Sequence, residues 1–222
     1  MSKRSLKFLR NGLLTGSCLM AMTAASLAVE VEGNAAVSSN YMWRGMTQTD
    51  DAAAVSGGFD LSTESGFYAG TWASNIDFGD AASYELDLYA GFAGEMESGF
   101  SYDVGYIAYL YPDAGTSDYD FGEVYASLGY GPLSVTYSFQ VDESADSYAN
   151  DSNYLSVDYE IPITEEFTAS LHYGYYDIEA SPEQTDYSLT LAKGDFSLSF
   201  IGTEDVTTDD DTKVVLAYGF SF

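Results

Sequence analysis

The sequence predicts an all-β chain: a transmembrane antiparallel up-and-down β-barrel of about twelve strands, with its N- and C-termini on the periplasmic side. Three observations carry this. Bulky apolar residues alternate with small polar ones through most of the chain, the period of a strand with two unlike faces. The connections alternate between short turns and longer acidic loops, as in barrels of an outer membrane. The chain ends on KVVLAYGFSF, where Val214, Leu216, Tyr218, Phe220 and Phe222 share one parity and Val215, Ala217, Gly219 and Ser221 the other.

The first residues are read separately. Lys3, Arg4, Lys7 and Arg10 precede a mostly apolar stretch, Leu13 to Leu27, which ends on Ser26-Leu27-Ala28. A basic start, an apolar core and a small-x-small end make a secretory signal peptide. The expected division is therefore 1–28 signal peptide and 29–222 outer-membrane barrel. A lipoprotein reading needs Leu three residues before Cys18, and Thr15 stands there. Beyond residue 28 there is no cysteine, which removes disulfides and thiolate metal sites. No long apolar run follows, so no helical membrane span is expected.

The strands are expected near 35–44, 53–62, 67–77, 83–94, 99–110, 120–130, 133–141, 153–161, 167–177, 185–193, 195–203 and 213–222. Many are about 9–11 residues, the length a tilted strand needs to cross a bilayer. Short turns fall at Thr63 to Gly66, Glu95 to Ser98, Gly131-Pro132, Pro162 to Glu166 and Lys193-Gly194. Phe67, Phe100, Phe167, Phe196 and Phe222 sit at the short-turn ends. Tyr41, Trp43, Tyr109, Tyr111, Tyr175 and Tyr176 sit near the long-loop ends. Rings at both ends predict two interfacial girdles. Trp72 shares parity with Tyr68, Gly70 and Ser74, a mixed set that leaves its facing open.

Four of the seven basic residues lie in the leader, so Arg44, Lys193 and Lys213 face 35 acidic residues. Nucleic acid is excluded as a partner, because its phosphates need Lys and Arg. If the bulky parity faces lipid, the small parity lines the lumen, with candidates Arg44, Asp60, Glu85, Asp87, Asp103, Glu123, Asp158, Glu160 and His172. Charges on the lipid side would cost about 2–4 kcal/mol for Arg or Lys at mid-membrane. An acidic lumen attracts cations. Arg44 reads either as a selectivity or gating residue or as an ion pair bracing the wall. Inward Tyr89, Tyr109, Tyr125 and Tyr176 raise the possibility of a lumen plugged by its own side chains.

The stretch SSNYMWRGMTQTDDAAAVSGGFDLSTESGFYAGTWASNIDF, Ser38 to Phe78, resembles the TorF-type family of candidate porins, long catalogued as bacterial proteins of unknown function. Arg44-Gly45, Gly57-Gly58-Phe59-Asp60 and the run Gly66 to Asn75 carry the resemblance. It implies an outer-membrane channel and brings no catalytic or ligand residues with it.

The expected function is passive diffusion of ions or small cationic or neutral solutes, with a preference for cations. The expected partners are outer-membrane lipid, lipopolysaccharide and the barrel-assembly machinery, which the alternating C-terminal residues Val214 to Phe222 would address. The alternative is a non-conducting structural or adhesive barrel, and behind it a lipid-active barrel enzyme. His172 is the only histidine and no G-x-S-x-G motif is present, so the expectation is not an enzyme. No cofactor is implied. Asp205 and Asp209 to Asp211 lack EF-hand spacing, and no metal site is expected.

Overall fold

The computed structural model describes residues 29–115, 117, 119–143, 152–178, 182–204 and 211–222. The leader with Cys18, and the loop acids Asp205, Asp209 and Asp210, lie outside the described residues. The strands are β1 (Val29–Ser38), β2 (Met42–Trp43), β3 (Met46–Thr47), β4 (Ala54–Thr63), β5 (Phe67–Asn75), β6 (Tyr84–Glu95), β7 (Phe100–Leu110), β8 (Phe121–Tyr130), β9 (Leu133–Glu143), β10 (Asn153–Pro162), β11 (Phe167–Asp177), β12 (Gln184–Lys193), β13 (Phe196–Glu204) and β14 (Lys213–Ser221). There is no helix among the described residues. β2 and β3 pair only with each other, and the other twelve strands form one closed antiparallel barrel in sequence order.

The seam joins β1 to β14, with Asn34 opposite Ser221 and Ser38 opposite Ala217. Phe222 extends it: its N–H donates to the Gly33 carbonyl and its carbonyl oxygen accepts from the Gly33 N–H, each at 2.9 Å. Closure leaves no free edge. The Phe222 ring rests on Gly33, where a Cβ would lie 2.6 Å from Cε2 of the ring.

The wall separates two kinds of side chain. No Leu or Phe is buried among the described residues, whereas Asp87, Glu85, Glu123, Arg44 and Thr190 are. Val, Leu, Ile and Phe dominate the exposed set, including Val214, Leu216, Phe220 and Phe222. A water-soluble fold has the reverse distribution. This one is built for an apolar surround.

Eleven of the expected strands lie within two residues of barrel strands at each end. The first does not. The wall strand is Val29–Ser38, not 35–44. Val29 and Val31 alternate with Glu30 and Glu32, which is already strand sequence. The chain cannot stay in the wall through residue 44, because Arg44 and Gly45 have φ of 47° and 78°, left-handed values that no ladder accepts. Arg44 is therefore not a wall residue.

The long-loop girdle also needs correcting. Trp43, Tyr109, Tyr111 and Tyr176 are packed inside the barrel rather than around it. Parity decides this for the strand residues. Tyr109 is in register with buried Asp87, and Tyr176 with buried Tyr154. Trp72 also turns inward, where its ring meets Tyr41 edge-on at 5.3 Å.

Candidate functional site

The connection between β1 and β4 folds into the barrel. Its base is a polar knot. Thr47 Oγ1 donates to Asn40 Oδ1 at 2.8 Å, Asn40 Nδ2 donates to Asp51 Oδ1 at 2.8 Å, and Thr49 Oγ1 donates to the Ala52 carbonyl at 2.6 Å. Short hydroxyl and amide side chains satisfy the backbone and one another without a ladder. Lys213 Nζ on β14 reaches Asp51 Oδ2 at 2.8 Å. The Asp77 amide donates to the Gln48 carbonyl at 2.8 Å, which ties the hairpin to the next loop. Two further loops are joined beside it, as Asp113 accepts from Ser83 and Asp80 from Tyr119. These bonds hold both carboxyls below their ordinary range.

The β2–β3 hairpin carries Arg44 across to the far wall. Nη2 of Arg44 donates to both carboxylate oxygens of Glu123 on β8, at 2.9 and 2.8 Å. Its Cζ lies 4.3 Å from the Trp43 and Tyr154 ring centroids and 4.5 Å from that of Tyr176. Nε and Nη1 have no hydrogen-bond acceptor among the described residues. The electron-rich ring faces compensate them. Burial works against the charge, and the Glu123 carboxylate outweighs it, so the Arg44 pKa is held above its ordinary value.

Gln184 Nε2 on β12 donates to the Arg44 carbonyl at 2.8 Å. Gly45 lies so close to the wall that a Cβ would be 2.8 Å from Asp186 Cβ and nearer still to Thr203 Cγ2. Trp43 meets Tyr109, Phe121 and Tyr176 edge-on at 6.1, 6.1 and 5.8 Å. The hairpin tip therefore touches β7, β8, β10, β11, β12 and β13 and crosses the barrel interior at the long-loop end.

The other acids fall into three groups. Glu85 accepts from Tyr41 and Tyr111, each hydroxyl at 2.7 Å. Its neighbour on the same face, Asp87, is in register with Trp72 and Tyr109 and has no partner for either oxygen among the described residues.

The second group is a strut pattern. Tyr89 crosses Gly70 to bond Asp60. Tyr68 crosses Gly91 to bond Asp103 at 2.6 Å. In each case a ring lies flat on a glycine of the neighbouring strand and reaches the strand beyond.

The third group is centred on His172. Its Nδ1 meets Asp158 Oδ1 at 2.7 Å, and Nε2 meets both Asp186 Oδ1 and the Tyr154 hydroxyl at 2.9 Å. Tyr154 donates to Asp186 Oδ2 at 2.9 Å across Gly174, so this cluster touches the ring that caps Arg44. Glu160 is half-buried on β10, opposite Ser170.

Tyr154, Gln184 and Asp186 escaped the sequence reading. Asp186 shares a parity with Ser188 and Thr190, which is a signal for an inward acid. Nothing local marks Tyr154 or Gln184, whose roles depend on a hairpin far away in sequence.

A family described as "Bacterial protein of unknown function (Gcw_chp)" matches residues 21–219. No curated protein sequence matches the chain. Among solved structures the barrel is similar to the KdgM porin, at 10% identity over 86% of this chain and 98% of that chain, with a TM-score of 0.57. The KdgM porin in complex with disordered oligogalacturonate matches at 9% identity over 88% and 98%, with a TM-score of 0.52. A third match comes from work on the in-meso crystallization of membrane proteins, at 7% identity over 86% and 83%, with a TM-score of 0.54. At these identities the likeness is one of fold.

Proposed function

Because the chain belongs to the bacterial Gcw_chp family, whose function is unknown, its role is read from geometry, and we propose that it is an outer-membrane channel for passive diffusion of ions and small solutes, preferring cations. One observation carries the reading. The outer wall is apolar while the inner wall bears Asp60, Asp103, Asp158 and Glu160 beside hydroxyl side chains. An inward set of carboxylates favours cations over anions in a narrow pore. The likeness to the KdgM porin fold supports a channel, as does the resemblance to TorF-type porins. Oligogalacturonate is a polyanion, and an acidic lumen disfavours such a solute here.

On this reading residues 1–28 direct export, and both ends of the barrel lie on the periplasmic side. The outward residues of β14 face lipid and address the assembly machinery. Lipopolysaccharide meets the loops. The buried hairpin favours one rival, a non-conducting structural barrel. The rival enzyme is disfavoured because both His172 ring nitrogens already meet carboxylates, leaving no free base for a serine.

Planar-bilayer recording of the refolded mature chain in a salt gradient tests the proposal. A reproducible open level with a reversal potential on the cation side is expected. Anion preference overturns the selectivity, and silence with intact heat-modifiable folding favours the structural barrel.

A further inference from the structure

Arg44 occupies its place as a bound ligand would. It belongs to a connection, not to the wall. Apart from its neighbour Trp43, the groups that hold its guanidinium are wall residues: Glu123 on β8, Tyr154 on β10 and Tyr176 on β11. Without the side chain, what remains is a carboxylate beside two tyrosine rings set at 88° to each other, 5.8 Å apart. A carboxylate acceptor with perpendicular aromatic walls is recognition chemistry for organic cations.

The occupant is also carried on a tight turn. Its φ of 47°, with 78° at Gly45, is the left-handed pair of the two-residue turn between Trp43 and Met46, which sets the side chain at the hairpin tip. A group that takes the cage releases the tip.

We propose that Glu123, Tyr154 and Tyr176 form a binding site for small solutes that carry a guanidinium group, with Arg44 as its tethered competitor, so that such a solute displaces the hairpin and unblocks the lumen. The unblocking rests on the channel reading, and the site itself does not. Guanidinium is favoured over a quaternary ammonium because Glu123 receives N–H donors, at 2.8 and 2.9 Å, which a quaternary ammonium lacks. A tethered occupant acts at high effective concentration, so a free solute competes poorly until Arg44 is removed.

The probe is methylguanidinium at millimolar concentration, with potassium and tetramethylammonium as controls. The readout is the thermal midpoint of refolded protein in detergent. In Arg44→Ala, methylguanidinium is expected to raise the midpoint saturably, at concentrations at least about tenfold below those the parent needs. The controls should have no such effect, and the double variant Arg44→Ala, Glu123→Gln should lose the response. No response in Arg44→Ala, or a response that survives Glu123→Gln, overturns the site.

Should Arg44→Ala not refold, the parent carries the test. Methylguanidinium, raised at least about tenfold to outcompete the tethered side chain, is then expected to shift tryptophan emission in the parent but not in Trp43→Phe, and no shift at that concentration overturns the proposal. Bilayer recording separates the two readings. A thermal response with no conductance in any variant removes the channel and keeps the site. Conductance with no thermal response does the opposite.

Discussion

Glu123 and Asp87 are both inward carboxylates on the wall, at 2% and 0% exposure, yet their surroundings differ. Glu123 receives Arg44, so removing its charge strands a buried guanidinium. Breaking a buried pair this way costs about 3–5 kcal/mol. Asp87 receives no hydrogen bond among the described residues, and desolvation is uncompensated there. Opposite outcomes follow. Glu123→Gln is expected to lower stability by several kcal/mol, while Asp87→Asn is expected to raise it by about 1 kcal/mol or more. Urea unfolding of the refolded barrel measures both. A destabilised Asp87→Asn would show that its carboxylate has a partner or a bound cation. The sequence placed both acids on the inward parity. It gave no means of telling the paired one from the orphan, because the partner arrives from residue 44.

Alternation made the strands readable. A residue facing lipid and its neighbour facing the lumen differ so strongly in polarity that the period of two survives in β4 to β14. β1 is less legible for a local reason. Ala35, Ala36 and Val37 blur the alternation where the strand meets the loop, and Tyr41 and Trp43 imitate its continuation. Left-handed φ at Arg44 ends that imitation, and a single sequence does not display φ. The aromatic girdle is hidden in the same way, since a ring near a loop looks alike in sequence whether it points in or out.

The seam carries its own prediction. Deleting Phe222 removes two backbone hydrogen bonds to Gly33, each with a net value of about 1 kcal/mol. Refolding into lipid in vitro should then succeed with stability reduced by about 2 kcal/mol, while insertion in cells should fall much further. Equal losses in both settings would leave the residue a stave of the wall and remove its role as an address.

The whole molecule sets a sharply acidic interior and loop system, with a formal net charge of −28, against very few cations. Charge preference from such a field depends on ionic strength, because the Debye length falls from about 30 Å at 0.01 M to about 3 Å at 1 M salt. Cation selectivity is expected to be strong in dilute salt and weak near molar salt. Selectivity unchanged across that range would assign it to direct contacts at the hairpin rather than to the field.

The hairpin also imposes an order in time. It is made early, at residues 42–47, but its docking partners run from Tyr109 on β7 to Thr203 on β13. Lys213, which pins its base, comes later still. Contacts so distant along the chain form late. The hairpin therefore cannot be fully seated until β13 has joined the wall, so it stays partly undocked while the earlier strands assemble.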